Sequence, residues 1–118
     1  MTVVENLSKS MICGESTKFN YTYRLTKSEI TLNNDDESVK MQAYGIEVER
    51  KDYVDEVLIN VDRDYVNVIS PYRHKVHNLL KLLYDNLVSP CHLVDVIGEY
   101  IDDNIVEFDE KLKEIAVN

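Results

Sequence analysis

The hydrophobic period of this chain changes at residue 70, and that change limits what it can fold into. Before it, apolar residues recur at every second position. Phe19, Tyr21, Tyr23 and Leu25 alternate with Asn20, Thr22 and Arg24, and a period of two puts the apolar four on one face of a strand. Val57, Ile59 and Val61 resume the alternation, with Asn60, Asp62 and Asp64 on the opposite face. After Ser70 the spacing becomes helical: Val76, Leu79, Leu80, Leu83 and Leu87 form a stripe that Leu82 widens. Strands followed by helices, without interleaving, predict an α+β domain.

Smaller signals divide the first part. The segment from Met1 to Cys13 holds Val3, Val4, Leu7, Met11 and Ile12 and reads as a first strand with poor alternation. Residues 14–17 supply a turn. Ile30 and Leu32 either extend the second strand or form a short one of their own. Residues 33–38 make a polar loop, because Asn and Asp bond their own backbone and tolerate left-handed conformations. Met41 and Ala43 alternate in one register and Tyr44, Ile46 and Val48 in the other, with Gly45 beside the switch. A change of face next to glycine predicts a β-bulge. Residues 51–56 connect to the strand that starts at Val57. The prediction is a four- to five-stranded antiparallel meander over about 2–69, followed by two C-terminal helices packed on one face.

Both helices begin with Ser-Pro. Ser70-Pro71 and Ser89-Pro90 each offer an N-cap followed by proline at the first helical position. The second pair also ends the first helix, since a residue before proline is pushed out of the α region. Leu93, Val96, Ile97, Tyr100 and Ile101 carry the second helix, which runs toward Ile105. Gly98 inside it costs about 1 kcal/mol relative to alanine, which suggests close packing there. Residues 108–118 read as a charged tail or a helix extension. One domain spans 1–118, with Val76, Leu80, Leu83, Leu87, Leu93, Ile97 and Ile101 expected to oppose Tyr21, Tyr23, Ile46, Val48, Ile59 and Val61.

Charge narrows the function classes. The chain carries a formal charge of −9, which repels phosphate backbones and anionic lipid. The two helices suggest a helix-turn-helix, yet the second one, which would read the bases, holds Asp95, Glu99, Asp102 and Asp103 and no Lys or Arg before Lys111. Direct nucleic-acid binding is therefore not expected. No apolar run reaches membrane-spanning length, and no basic segment followed by an apolar core marks a signal peptide. Arg73, Lys75 and Lys81 make the first helix a small basic island that should complement acidic neighbours.

No motif supplies chemistry. Cys13 and Cys91 belong to no paired-cysteine pattern and read as two buried free thiols in a reducing compartment. His74 and His77 share a helix face, and His92 follows later, but the Glu of a zinc-binding H-E-x-x-H is missing; no metal and no cofactor are expected. Cys91 and His92 are adjacent, so about 100° of helix separates them and His92 is badly placed to activate the thiol. Glu47 and Glu49, and Asp62 and Asp64 on the partner strand, read as a solvated, charge-laced sheet face, since Arg50, Lys51 and Arg63 lie among them. With 3 glycines, neither a phosphate loop nor a nucleophile elbow is present.

The stretches Tyr44-Gly45-Ile46-Glu47-Val48, Ile69-Ser70-Pro71, Val88-Ser89-Pro90 and His92-Leu93-Val94-Asp95-Val96-Ile97 resemble a family of small uncharacterised proteins from clostridia and related anaerobic Firmicutes, a domain of unknown function. The resemblance covers nearly the whole chain. It implies a bacterial, cytoplasmic setting and supplies no activity.

The residues therefore point to a non-enzymatic interaction or regulatory module. Its expected partner is another protein, with a homodimer as one form, and its expected contacts are a sheet edge and the helix face bearing Asp95, Glu99, Tyr100 and Asp102. Eight tyrosines suit contact surfaces, having an apolar body and a polar tip. The alternative is a small-molecule-binding or enzymatic domain, with a pocket between sheet and helices lined by Tyr21, Tyr23, Tyr44, His77 and Cys91.

Overall fold

A computed structural model describes residues 1–34 and 37–117; the side chains at 34, 99, 101–106, 109 and 115–117 lie outside the description. Four strands, β1 (Thr2–Cys13), β2 (Thr17–Asn34), β3 (Glu37–Val54) and β4 (Val57–Ser70), form one antiparallel sheet in the order β1-β2-β3-β4. Helix α1 (Arg73–Asp85) follows. A single 3-10 turn at Pro90–His92 then leads into α2 (Leu93–Val117). The chain is thus an α+β meander followed by helices. Ile30 and Leu32 belong to β2, and the described residues form four strands.

The two central strands are 18 residues each. At about 3.3 Å per residue they account for the 60 Å long axis of the molecule. The edge strands are shorter. Pairing of β1 with β2 begins at Thr2↔Lys27, and pairing of β4 with β3 ends at Tyr44↔Ser70. Beyond those positions β2 and β3 pair only with each other. At the opposite end the two hairpin tips are tied by the Asp55 N–H, which donates to the Ser16 carbonyl at 2.9 Å.

The main buried cluster joins the sheet to both helices, while Met41 and Ala43 are buried on the other side of β3. Tyr21, Tyr23 and Leu25 of β2 stand across from Arg50, Val48 and Ile46 of β3, and the apolar members pack with Val76, Leu79, Leu80 and Leu83 of α1 and Leu93 and Ile97 of α2. Burial of the α1 stripe is what selects its helix, because about 13 residues are marginal as an isolated helix. Leu87 lies beyond the end of α1, in a left-handed conformation (φ 51°). Val88 N–H donates to Leu83 O and Leu87 N–H to Tyr84 O, the bonding of a Schellman cap. Ile101, the remaining expected core residue, has its side chain outside the described residues.

Several expectations are corrected. The bulge near Gly45 is carried by β4. From Tyr44↔Ser70 to Ile46↔Val66, β4 spends Asn67, Val68 and Ile69 opposite Gly45 alone, while β3 keeps an unbroken register with β2. A Cβ on Gly45 would fall 2.2 Å from the Val66 carbonyl oxygen, so glycine there permits the close approach of the bulged strand. A second irregularity leaves Ile59 unmatched between Leu58 and Asn60. One extra residue reverses every side chain after it. Asp62 and Asp64 therefore share the core side with Arg50 and Val48, and Ile59 and Val61 are exposed instead of opposing the helices.

The helix starts differ from each other. Ser89 and Pro90 hold the expected positions at the 3-10 turn, but α1 starts at Arg73, after an N-cap Tyr72 with no side-chain cap. Ser70 is fully buried at the end of β4. Its hydroxyl accepts the Tyr72 N–H at 3.1 Å and donates to Glu107 Oε2 at 2.7 Å, so it joins the sheet to α2. Glu107 also takes Lys75 Nζ at 2.5 Å, a hydrogen bond that raises the Lys75 pKa. Among the described residues, a Cβ on Gly98 would meet nothing within 4 Å, so no close packing explains that glycine.

Candidate interaction surface

The sheet side opposite α1 is built from paired charges. Antiparallel register places Arg24 beside Glu47, and Glu49 beside Arg63. Arg24 Nη1 donates to Glu47 Oε1 at 2.6 Å and its Nη2 to Glu49 Oε1 at 3.3 Å. Arg63 donates to Glu49 Oε2 from both Nε and Nη2. Glu49 and Glu47 are both buried, so the face is charge-laced as expected but not solvated at these two residues. Burial pushes the Glu49 pKa up, but the hydrogen bonds from Arg63 and Arg24 outweigh it and hold the carboxyl below its ordinary value. The row continues as a hydroxyl and amide ladder, with Ser8 donating to Thr22 Oγ1 and Ser10 to Asn20 Oδ1.

β4 has a different surface. Val57, Leu58, Ile59, Val61, Tyr65 and Val68 are all between 40% and 61% exposed. They lie on an edge strand and divide between its two sides, with Leu58, Val61 and Tyr65 across from Tyr53, Lys51 and Glu47 and Val57 across from Val54. The run Val57-Leu58-Ile59 carried the signal in the sequence: three consecutive apolar residues cannot all face one side of a strand. Glu49 was legible only with the register known, because Arg24, Glu49 and Arg63 are far apart in the chain.

α1 is held to the opposite edge by charge. Glu5 of β1 meets His77 Nδ1 at 2.6 Å and Arg73 Nε at 3.4 Å. Lys9 Nζ lies 4.2 Å from the centroid of the Tyr84 ring. Two of the three basic side chains of α1 meet acidic neighbours, Arg73 with Glu5 and Lys75 with Glu107.

Of the five residues expected around a ligand pocket, Tyr21 and Tyr23 belong to the core and Tyr44 packs against it, while His77 and Cys91 lie outside that cluster. Tyr21 and Tyr23 are stacked within the core at 6.4 Å between ring centroids. The Tyr23 hydroxyl donates to the Val88 carbonyl at 2.9 Å, and its pKa is pushed far upward by burial and by Tyr21. Tyr44 is half-buried and bonds Gln42; His77 bonds Glu5. Cys91 is exposed in the 3-10 turn, and Cys13 is exposed beside a hairpin tip, so neither thiol is buried as expected. A cleft of about 690 Å³ lies at the hairpin tips, lined by Ile12, Lys18, Asn20, Tyr53 and the Glu15 and Glu56 carboxylates among others. A smaller one, about 380 Å³, is lined by Glu5, Arg73, His74 and His77. Among the described residues no group of three His, Cys, Asp or Glu side chains is placed to hold a metal ion.

Of the residues expected on the contact face of α2, Asp95 and Tyr100 are exposed; the side chains of Glu99 and Asp102 lie outside the described residues. No described helix is long and apolar enough to cross a membrane. In comparisons with known proteins, a family model described as a family of unknown function (DUF6514) matches residues 1–103. No curated protein and no solved structure matches the chain.

Proposed function

The chain belongs to the DUF6514 family, and we propose that within it this protein is a non-enzymatic interaction or regulatory module whose partner is another protein. The observation that carries the reading is the apolar edge strand. Six large hydrophobic side chains of β4 are turned to solvent on a strand whose outer side no other described strand pairs, and an open apolar strand edge is a template for an added strand. Both helices are taken to lie on one side of the sheet, which leaves the outer edge of β4 free for contact. The polar face of α2, with Asp95 and Tyr100, is a second contact in this reading. The setting is bacterial and cytoplasmic, and nucleic acid is not a direct ligand of so acidic a chain. The alternative pocket has less support, because Tyr21 and Tyr23 fill the core and the Tyr23 hydroxyl already has its partner.

Affinity capture from the native cell extract, run in parallel with wild type and a Val61→Lys,Tyr65→Lys variant, tests this. A protein retained stoichiometrically by wild type and lost with the variant supports the reading. Identical eluates, or no retained protein, overturn it.

A further inference from the structure

The middle of β4 carries more than apolar surface: it alternates. Asp62 and Asp64 point to one side of the sheet, across from Arg50 and Val48, and Val61, Arg63 and Tyr65 to the other. Arg63 is committed to Glu49. The Asp62 side chain is half exposed, and its Oδ2 accepts Arg50 Nη2 at 3.4 Å and Asn60 Nδ2 at 3.2 Å. Asp64 Oδ1 accepts the backbone N–H of Tyr65 at 2.8 Å, so a side chain closes this donor of the edge strand. An apolar or acidic strand arriving at β4 meets two carboxylates and a capped amide. A strand with cations opposite the two aspartates draws those carboxylates toward itself and releases the amide.

A second copy of the chain is a poor occupant. In a face-preserving two-fold pairing of β4 with itself, a centre at residue 62 sets Asp62 against Asp62, a centre at 64 sets Asp64 against Asp64, and a centre at 63 sets Asp62 against Asp64 twice. Like charges directly opposite are destabilising, and aspartates within an edge strand discourage self-pairing. The irregularities at Ile59 and at residues 67–69 restrict regular pairing to residues 60–66, so those three centres span its middle.

We infer that the β4 edge docks an extended basic segment of a different protein, with lysine or arginine side chains opposite Asp62 and Asp64 and apolar side chains against Val61 and Tyr65. This rests on the interaction-module reading and adds the chemistry of the partner. The docked segment has a period of two, cationic on one side and apolar on the other.

The test uses the full chain and a labelled ten-residue peptide alternating lysine with valine, followed by fluorescence anisotropy at about 0.15 M salt, where attraction over more than roughly 8 Å is screened. Saturable binding to wild type is expected. The variant Asp62→Lys,Asp64→Lys should weaken it by about tenfold or more, since two favourable cross-strand pairs become two unfavourable ones. The same variant should acquire binding to a peptide with glutamate in place of lysine. Glu37→Lys,Glu110→Lys, which changes net charge equally at two exposed sites outside β4, should leave lysine-peptide binding within about twofold. Circular dichroism confirms that each variant is folded. Equal weakening by both variants would show diffuse attraction to an acidic surface and overturn the inference, as would absence of saturable binding or a dimer dissolved by Val61→Lys. If capture yields a β4-dependent partner while the peptide result is negative, the module reading stands and the basic-strand inference falls.

Discussion

β2 and β3 run through two unlike regions with the same backbone pairing. Around residues 21–25 and 46–48 the sheet is covered by helices, and Tyr23, Leu25, Ile46 and Val48 are fully buried. Toward the hairpin tips the ladder continues, but β4 turns Val57, Leu58, Ile59 and Val61 to solvent. Strand length in this protein is therefore set by hydrogen-bonded pairing and turn chemistry, and core formation is set separately by where the helices reach. The covered region holds the fold, and the bare region is available for contacts. Substitutions in the two regions should differ sharply if this division is right.

The largest effect is expected at Gly45. Its missing Cβ leaves room for the Val66 and Asn67 backbone, whose atoms lie 2.2–2.5 Å from where that carbon would be. Gly45→Val forces β3 and β4 apart beside Ile46 and Ile69, and backbone cannot yield as a flexible side chain can. A loss of more than about 4 kcal/mol is expected, in the range reserved for a few severe mechanisms. Urea unfolding followed by circular dichroism measures it; a variant within about 1 kcal/mol of wild type would show that the bulge relaxes freely.

A matched pair then tests the division itself. Leu80→Ala empties a fully buried site beneath the sheet and should cost about 2–5 kcal/mol. Ile59→Ala removes a side chain of the same size from a position that is 61% exposed and should change stability by no more than about 0.5 kcal/mol. Comparable losses at both sites, measured in the same denaturant series, would mean that the distal half of β4 is covered in the folded protein, as by self-association.

Legibility in the sequence follows the same division. The alternation from Phe19 to Leu25 was readable because one face of β2 is buried, so polarity and geometry agree. The α1 stripe from Val76 to Leu83 was readable for the same reason. β4 misled because its bulge at Ile59 inverts the faces, and Val57, Ile59 and Val61 are exposed there among the described residues. Ser70 misled because its hydroxyl serves Glu107 and the Tyr72 N–H, a tertiary contact that looks like a cap in the local sequence. The candidate surface was legible only as an expectation that a sheet edge is used. Which edge, and which residues, depended on register.

Glu49 links the two regions and gives the pH-dependent prediction. Its folded pKa is held below the unfolded value, which is about 4.3. Its contribution to stability is therefore fully present above that pH and is lost as pH falls through the lower folded pKa. Glu49→Gln removes the charge that faces Arg24 and Arg63. The cover over Glu49 is its own arginines, themselves partly solvated, so the loss near pH 7 should be about 1–3 kcal/mol, below that of a deeply buried pair. The variant's stability should also fall less steeply than wild type between about pH 5 and pH 3. Parallel pH profiles for the two proteins would place the acid sensitivity elsewhere.

The smallest expected effect is a gain, in the bare region. Asp55 and Glu56 both have positive φ, 50° and 67°, and together they close the two-residue connection between Val54 and Val57. That is the backbone of a type I′ hairpin turn, whose twist matches the strands and whose second position favours glycine. Glutamate at that position carries left-handed strain, which glycine does not. Glu56→Gly should therefore stabilise the protein by about 0.5–1 kcal/mol, the relief of strain exceeding the added flexibility of the unfolded chain. Because the Asp55 N–H also ties this tip to Ser16, the gain should appear as slower hydrogen exchange at the tip amides as well as a higher unfolding midpoint. A loss of stability instead would mean that the Glu56 side chain holds the tip in place, and the bare end would then owe its order to side-chain contacts more than to turn geometry.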